Sequence, residues 1–259
     1  MSAGDGGVLH LPGDSALHRL APQIKLLAAF GVVLCVVATP RAAFWAFGGF
    51  ALLLGALAAV ARIPPGWLAR RLLIELPFVV LALVLPFALG GERTEVAGLA
   101  LSVPGLLAAW NILAKGTLGL FCSLTLAATT SPRELLLGLQ RLRTPTTLIM
   151  ISSLMLRYVG VVIGEAGRMR LARISRGDSP RFLWQANATA RGVGTLFLRC
   201  YERGERVHLA MVARGWSGEL PEPNEPRQVT RGQEVRNWLL GLSPAATSAV
   251  IAGVAVWTS

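Results

Sequence analysis

A chain of 259 residues that is 53% hydrophobic and only 15% charged, with a mean hydropathy of +0.56, departs from the roughly 45–50% apolar and about 25% charged make-up of soluble domains. Disorder, fibrous repeats and an ordinary cytosolic enzyme do not fit this balance. In a soluble domain the net charge of +11 would point to nucleic acid. In a chain this apolar it reads as cytoplasmic loops facing anionic lipid under the positive-inside bias, and no nucleic-acid partner is expected.

Residues 1–19 are polar and Gly-rich without an apolar h-region, so no cleavable signal peptide is expected. The first apolar run, Leu26 to Thr39, falls short of a ~30 Å hydrocarbon core unless its helix starts near Leu20 and Lys25 snorkels. The second, Ala42 to Ala61, is long enough alone. The third, Leu72 to Leu89, carries Glu75, Pro77 and Pro86, and the fourth, Pro104 to Thr130, contains Asn111 and Lys115. The last runs from Trp238 to Trp257. Cys35, Cys122 and Cys200 have no CxxC spacing and indicate neither a disulfide framework nor a zinc site.

Between Ser131 and Asn237 the composition changes: this stretch holds 17 of the 25 basic and 9 of the 14 acidic residues, hence +8 of the +11. Three more arginines lie between Arg62 and Arg71. Positive-inside places the N-terminus, residues 62–71 and residues 131–237 in the cytoplasm, with five spans and the C-terminus outside. The domains expected are a polar segment 1–19, a membrane domain of four spans 20–130, a cytoplasmic helical domain 131–237 and a C-terminal span 238–259. Thr146 to Gly164 is apolar enough to span but contains Arg157. An intramembrane Arg costs at least ~2.5 kcal/mol, so an amphipathic helix along the inner interface is expected there. Pro221 to Pro226 reads as a linker.

Within 155–177, Met155, Val159, Val162, Ala166 and Met169 recur every four and three residues, and Arg173 and Arg176 continue the stripe. Gly177 and then Asp178-Ser179-Pro180 supply a cap and a stop. Within 197–215, Phe197, Cys200, Gly204, Val207 and Met211 form a second seam that runs into Arg214 and Gly215, with Glu202 and Arg206 paired at i,i+4 on its flank. Two helices of one design therefore end in Ser175-Arg176-Gly177 and Ala213-Arg214-Gly215. Each Arg complements its helix dipole, and each could also reach a carboxylate in a partner's groove through a bidentate bond.

Further stretches accompany the two tips: Ser15 to Pro22 running into Lys25-Leu26-Leu27, Thr129-Thr130-Ser131-Pro132, Arg168 to Gly177, and Tyr201 to Arg206. Together, from about Ser15 to Gly218, they resemble the transmembrane T components of energy-coupling factor (ECF) transporters, and more particularly the cobalt-transport family CbiQ. The resemblance implies an all-α polytopic membrane bundle with a cytoplasmic coupling domain of crossed amphipathic helices, set in a bacterial cytoplasmic membrane. It implies two ATP-binding-cassette (ABC) ATPase subunits docked on Arg176 and Arg214, and a membrane-embedded substrate-binding (S) subunit on the same helices. ATP then belongs to the ATPases and cobalt to the S subunit, and the chain itself is expected to carry no cofactor. The first motif has Ser175 where Ala is common.

Other polar residues are read as structural. Lys115 is an intramembrane charge for which Asn111, one turn earlier, is the natural partner, with Glu75 a further candidate if the helices are offset. Trp67, Trp184 and Trp216 fit interfacial anchoring, and His208 beside Glu205 falls short of a metal site. No Walker A motif is present, so the chain is not expected to hydrolyse ATP, and with no GxSxG, HExxH or paired membrane-facing carboxylates it is not expected to be an enzyme. The alternative is a membrane enzyme using its arginines on a lipid or prenyl phosphate at the cytoplasmic face, although Asp178 is the only Asp after residue 14 and clustered aspartates for magnesium are lacking.

Overall fold

The computed structural model describes residues 9–88, 90, 93–96, 99–177, 186–216 and 231–258. The expectations for Asp178-Ser179-Pro180, for Trp184 and for the linker 221–226 lie outside the described residues. The chain forms two compact units, residues 1–142 with 227–259, and residues 143–226.

The first unit opens with a single helical turn, α1 (Ala16–Arg19), whose N-cap Ser15 accepts from the His18 amide. Pro22 at the first turn starts α2 (Pro22–Ala38), and α3 (Phe44–Val60) follows. Next come α4 (Pro65–Leu72), a 3-10 turn over Leu73–Glu75, and α5 (Leu76–Ala88). An antiparallel pair, β1 (Arg93–Val96) and β2 (Leu99–Ser102), sets Arg93 opposite Ser102. This hairpin, where the sequence had read only a loop, is the departure from an all-helical fold among the described residues. Ser102 then caps α6 (Val103–Thr129), accepting from the Gly105 amide at 3.3 Å. In α7 (Pro132–Arg141), Ser131 and Glu134 cap each other's amides at 3.3 and 2.9 Å, which is the reciprocal use of the S-x-x-E spacing. The long α10 (Arg231–Trp257) closes the unit.

Val32 and Val36 of α2, Phe47, Phe50 and Leu54 of α3, Leu118 and Cys122 of α6, and Ala252 and Ala255 of α10 make one buried core. Outside it the helices stay apolar: Phe30, Leu34, Leu52, Leu83 and Val250 are all exposed. Such surfaces suit hydrocarbon rather than water, while the helical backbone satisfies its own polar groups. Helices α2 and α10 approach closely at Gly241, where an added Cβ would collide with Ile24 Cγ2. Helices α5 and α6 do so at Gly105, where it would stand 2.7 Å from Pro86 Cα.

Pro65–Ala88, Val103–Thr129, Thr146–Ser175 and Val235–Trp257 are long and apolar enough to cross a membrane, and α2 and α3 are shorter apolar helices of 17 residues each. The chain is a polytopic membrane helical bundle. Lys25 does not snorkel as expected: its side chain is buried, because nearby main-chain oxygens accept from it inside the fold.

The second unit contains α8 (Thr146–Ser175) and α9 (Ala186–Ala213). The stretch 146–164 and the seam 155–177, read separately from sequence, form one uninterrupted 30-residue helix. Glu165 pairs with Arg199, and Arg173 reaches Thr189 at 3.4 Å. As residue numbers rise along α8 they fall along α9, so the two helices run antiparallel.

Candidate coupling site at two helix tips

Both helices of the second unit end for the same local reason. Gly177 and Gly215 adopt φ of +83° and +80°, a left-handed conformation that costs a side-chain-bearing residue ~1 kcal/mol or more and Gly little. The Gly177 amide donates to the Ile174 oxygen at 3.0 Å, and the Gly215 amide to the Val212 oxygen at 2.9 Å. At the second tip the Trp216 amide also reaches back to the Met211 oxygen at 3.0 Å, which completes a Schellman cap. Trp216 folds against His208, ring centroids 5.8 Å apart and nearly perpendicular. His208 thus packs against the ring of the residue whose amide closes the cap, and no bond to Glu205 is seen among the described residues.

In this geometry Arg176 and Arg214 are the last residues before the left-handed glycines, and both are exposed. Neither guanidinium has an ion pair or hydrogen bond among the described residues. Ser175 Oγ donates to the Leu171 oxygen at 3.0 Å, so the hydroxyl turns onto its own helix and Ser175 presents little more bulk than Ala213 does at the other tip. Antiparallel packing puts the two tips at opposite ends of the pair.

Behind the tips the seams are partly as read. Val162, Ala166, Met169 and Arg173 on α8, and Cys200, Val207 and Met211 on α9, are half-buried. Met155, Val159, Phe197 and Gly204 are exposed, and Tyr158, Glu165 and Leu196 stand in the partly covered stripe instead. A straight helix drifts ~20° per heptad from a 3.5-residue repeat, so the covered stripe moves to the neighbouring position. The expected Glu202–Arg206 pair forms loosely, at 3.9 Å with both side chains mostly exposed, a geometry worth only a few tenths of a kcal/mol. Sequence reasoning missed Glu165, which accepts from Arg168 Nε at 3.2 Å on its own helix and from Arg199 across the pair. Arg168 at i+3 was a local signal for half of that arrangement; Arg199 gave none.

The family model for CbiQ, described as cobalt transport protein, matches residues 13–225. The chain belongs to the CbiQ family. Among its relatives, the "Energy-coupling factor transporter transmembrane protein EcfT" of Bacillus selenitireducens is 28% identical over 229 residues, covering 81% of this chain and 82% of that protein. The protein of the same description from Limosilactobacillus fermentum is 28% identical over 239 residues, covering 85% and 86%. The "Cobalt transport protein CbiQ" of Rhodobacter capsulatus is 31% identical over 162 residues, covering 62% and 64%.

In this CbiQ-family chain the stretch Ser15–Leu27 meets Thr129–Pro132 in space. Lys25 Nζ donates to the Thr129 oxygen at 2.9 Å, to Thr130 Oγ1 at 3.4 Å and to the His18 oxygen at 3.2 Å. The Leu11 amide reaches the Ala128 oxygen at 2.9 Å. A buried ammonium therefore satisfies oxygens at the C-terminal ends of α1 and α6, where the helix dipoles favour a cation.

The intramembrane polar residues are partnered differently from the expectation. Lys115 Nζ donates to the Val37 oxygen at 2.7 Å, one of the unpaired carbonyls at the end of α2. Glu75 is buried with its Oε1 3.1 Å from Thr117 Oγ1, a hydroxyl whose one proton it shares with the Leu113 oxygen at 2.6 Å. Asn111 is no partner for the ammonium either: its side-chain oxygen is buried without one. A helix-end carbonyl within reach takes Lys115, which leaves Glu75 to the hydroxyl two residues along α6. Trp67 packs beneath Arg71, whose guanidinium lies 4.3 Å from the ring centroid, a cation–π contact.

Proposed function

We propose that this chain is the transmembrane scaffold, or T subunit, of an ECF-type ABC transporter for cobalt uptake in a bacterial cytoplasmic membrane. Arg176 and Arg214 each dock in a groove of one of two ABC ATPase subunits, and a membrane-embedded S subunit carries the cobalt. ATP stays on the ATPases, and this chain contributes no catalytic residue. Residues 20–130 and 238–259 are the membrane domain, with residues 131–237 on the cytoplasmic side.

One observation carries this reading: two exposed arginines without partners among the described residues close two antiparallel helices of the same capped design, in a protein of the cobalt transport family. A guanidinium presented by a fixed helix end makes bidentate bonds to a carboxylate with little further loss of freedom. When the ATPases close on ATP and open after hydrolysis, tips held this way are carried with them. Long helices transmit that movement because a packed helical pair is stiff, and Arg173 and the Glu202–Arg206 pair support the pair behind its tips. The S subunit riding on these helices is thereby reoriented in the bilayer.

The relatives' descriptions, an energy-coupling factor transporter transmembrane protein and a cobalt transport protein, favour this over a lipid-phosphate enzyme. Co-purification with an ABC ATPase, comparing the wild-type chain with Arg176→Glu/Arg214→Glu, tests the proposal.

A further inference from the structure

Glu165 occupies an unusual place for a carboxylate. It lies in the half-buried stripe of α8, between Val162 and Met169, with a side chain only 19% exposed. Two guanidiniums converge on it. Arg168 donates from its own helix through Nε at 3.2 Å and through Nη2 at 2.5 Å, and Arg199 donates from α9 to the other carboxylate oxygen. Both oxygens are thus used, one within α8 and one across the pair. Glu165 and Arg199 themselves line a groove of about 200 Å³, with Glu202, Arg203 and Arg206 on its charged side and Val161, Val162 and Cys200 on its apolar side.

The position matters because of what lies beyond it. From Glu165 to Arg176 runs about 16 Å of α8, and from Arg199 to Arg214 about 22 Å of α9 in the opposite direction, at 1.5 Å per residue. Neither length can change while the helices stay intact. The separation of the two tips therefore depends on the register at which α8 and α9 meet, and a slip of one turn would change it by about 5 Å. Apolar seams tolerate such slips, because half-exposed Val, Met and Cys side chains meet similar neighbours one turn along. A charge pair with two-sided hydrogen bonding resists a slip toward Thr195, which leaves the carboxylate without a cross-helix cation, while a slip the other way must break the bond to Arg199 before Arg203 can replace it.

We infer that Glu165 is a positioning residue: clamped by Arg168 and Arg199, it fixes the register of α8 against α9 and so the spacing of the Arg176 and Arg214 tips. The inference rests on the proposed coupling role for its consequence in transport, but not for the clamp itself. Glu165 touches no partner. It acts through the distance at which the two arginines are presented, and two ATPase grooves can be engaged together only at the spacing the clamp sets.

The test is a distance measurement on the full-length chain in lipid, with spin labels at Ala172→Cys and Ala210→Cys. Both positions are exposed, each four residues before its Arg, and Cys35, Cys122 and Cys200 are replaced by Ala. The wild-type pair gives one narrow distance distribution. Glu165→Gln, nearly isosteric, adds a population displaced by about 5 Å, one helical turn. The swap Glu165→Arg/Arg199→Glu, which restores a cross-helix pair with the charges exchanged, returns the single distribution.

In the complex assembled with its ATPases and S subunit, Glu165→Gln lowers cobalt taken up per ATP hydrolysed while the ATPases still co-purify, and the swap recovers the ratio. An unchanged distribution in Glu165→Gln, or a swap that fails to restore it, overturns the inference. A wild-type chain that holds no ATPase refutes the proposed function instead, and the distance result still decides the clamp.

Discussion

The ammonium of Lys25, a residue only 7% exposed, donates to the main-chain oxygen of Thr129 at 2.9 Å. The two residues are 104 positions apart, and the contact ties the start of α2 to the end of α6. With the His18 oxygen and Thr130 Oγ1 also accepting, all three protons of the ammonium are used. That satisfaction is what makes a buried lysine tolerable.

Lys25→Met keeps the apolar stem and removes the donor, leaving a buried Thr129 carbonyl without this partner. Hydrogen bonds to charged groups contribute about 1.5–3 kcal/mol each, and orphaned buried acceptors cost a similar amount. The variant should be destabilised by about 2–3 kcal/mol. Denaturant unfolding of the detergent-solubilised chain measures this, and a stability within 0.5 kcal/mol of wild type would show that the ammonium is dispensable.

Gly241 is fixed by the close approach of α2 and α10. Gly241→Ala places a methyl against Ile24 Cγ2 in a position where Ile24 is 1% exposed. Overpacking of this kind costs about 1–3 kcal/mol. Gly253 in the same helix has nothing within 4 Å of an added Cβ, so Gly253→Ala should be neutral or stabilising by up to about 1 kcal/mol. Unfolding the two single variants side by side separates a packing requirement from helix propensity; equal effects would contradict the close approach.

Glu75 and Lys115 bond to different groups, Thr117 Oγ1 and the Val37 oxygen. A double-mutant cycle on stability should therefore give a Glu75–Thr117 coupling of about 0.5–3 kcal/mol and a Glu75–Lys115 coupling within about 0.5 kcal/mol of zero. The reverse order would mean that the two charges pair directly in the membrane.

The legible part of this fold was local. Apolar runs placed α2, α3 and α6 within a few residues and the end of α10, whose polar first two turns from Arg231 escaped, since a run of apolar side chains in lipid has few structural options besides a helix. Gly177 and Gly215 marked the helix ends because few other residues adopt positive φ cheaply. What escaped was pairing at a distance. Lys25 with Thr129, Lys115 with Val37 and Glu165 with Arg199 span 104, 78 and 34 residues, and no local pattern records which helix end a lysine will reach. The seams on α8 and α9 were read one position off at Val159 and Phe197, because a regular four-and-three spacing fits two adjacent stripes equally well over so few turns.

The central claim is that the two arginine tips are where partner ATPases attach. Its most direct measurement is co-purification in mild detergent of a neighbouring ABC ATPase with the wild-type chain and with Arg176→Glu/Arg214→Glu. Both arginines are exposed and have no partners among the described residues, so the double variant should insert and unfold like wild type. It should nevertheless lose the ATPase, because truncating or reversing one side of a buried interfacial charge pair typically costs about 2–5 kcal/mol. Wild type retaining the ATPase and the variant losing it is the predicted result. A charge-reversed variant that still holds the ATPase as firmly, or a wild-type chain that holds none, would contradict it and reduce the two Arg-Gly tips to helix caps.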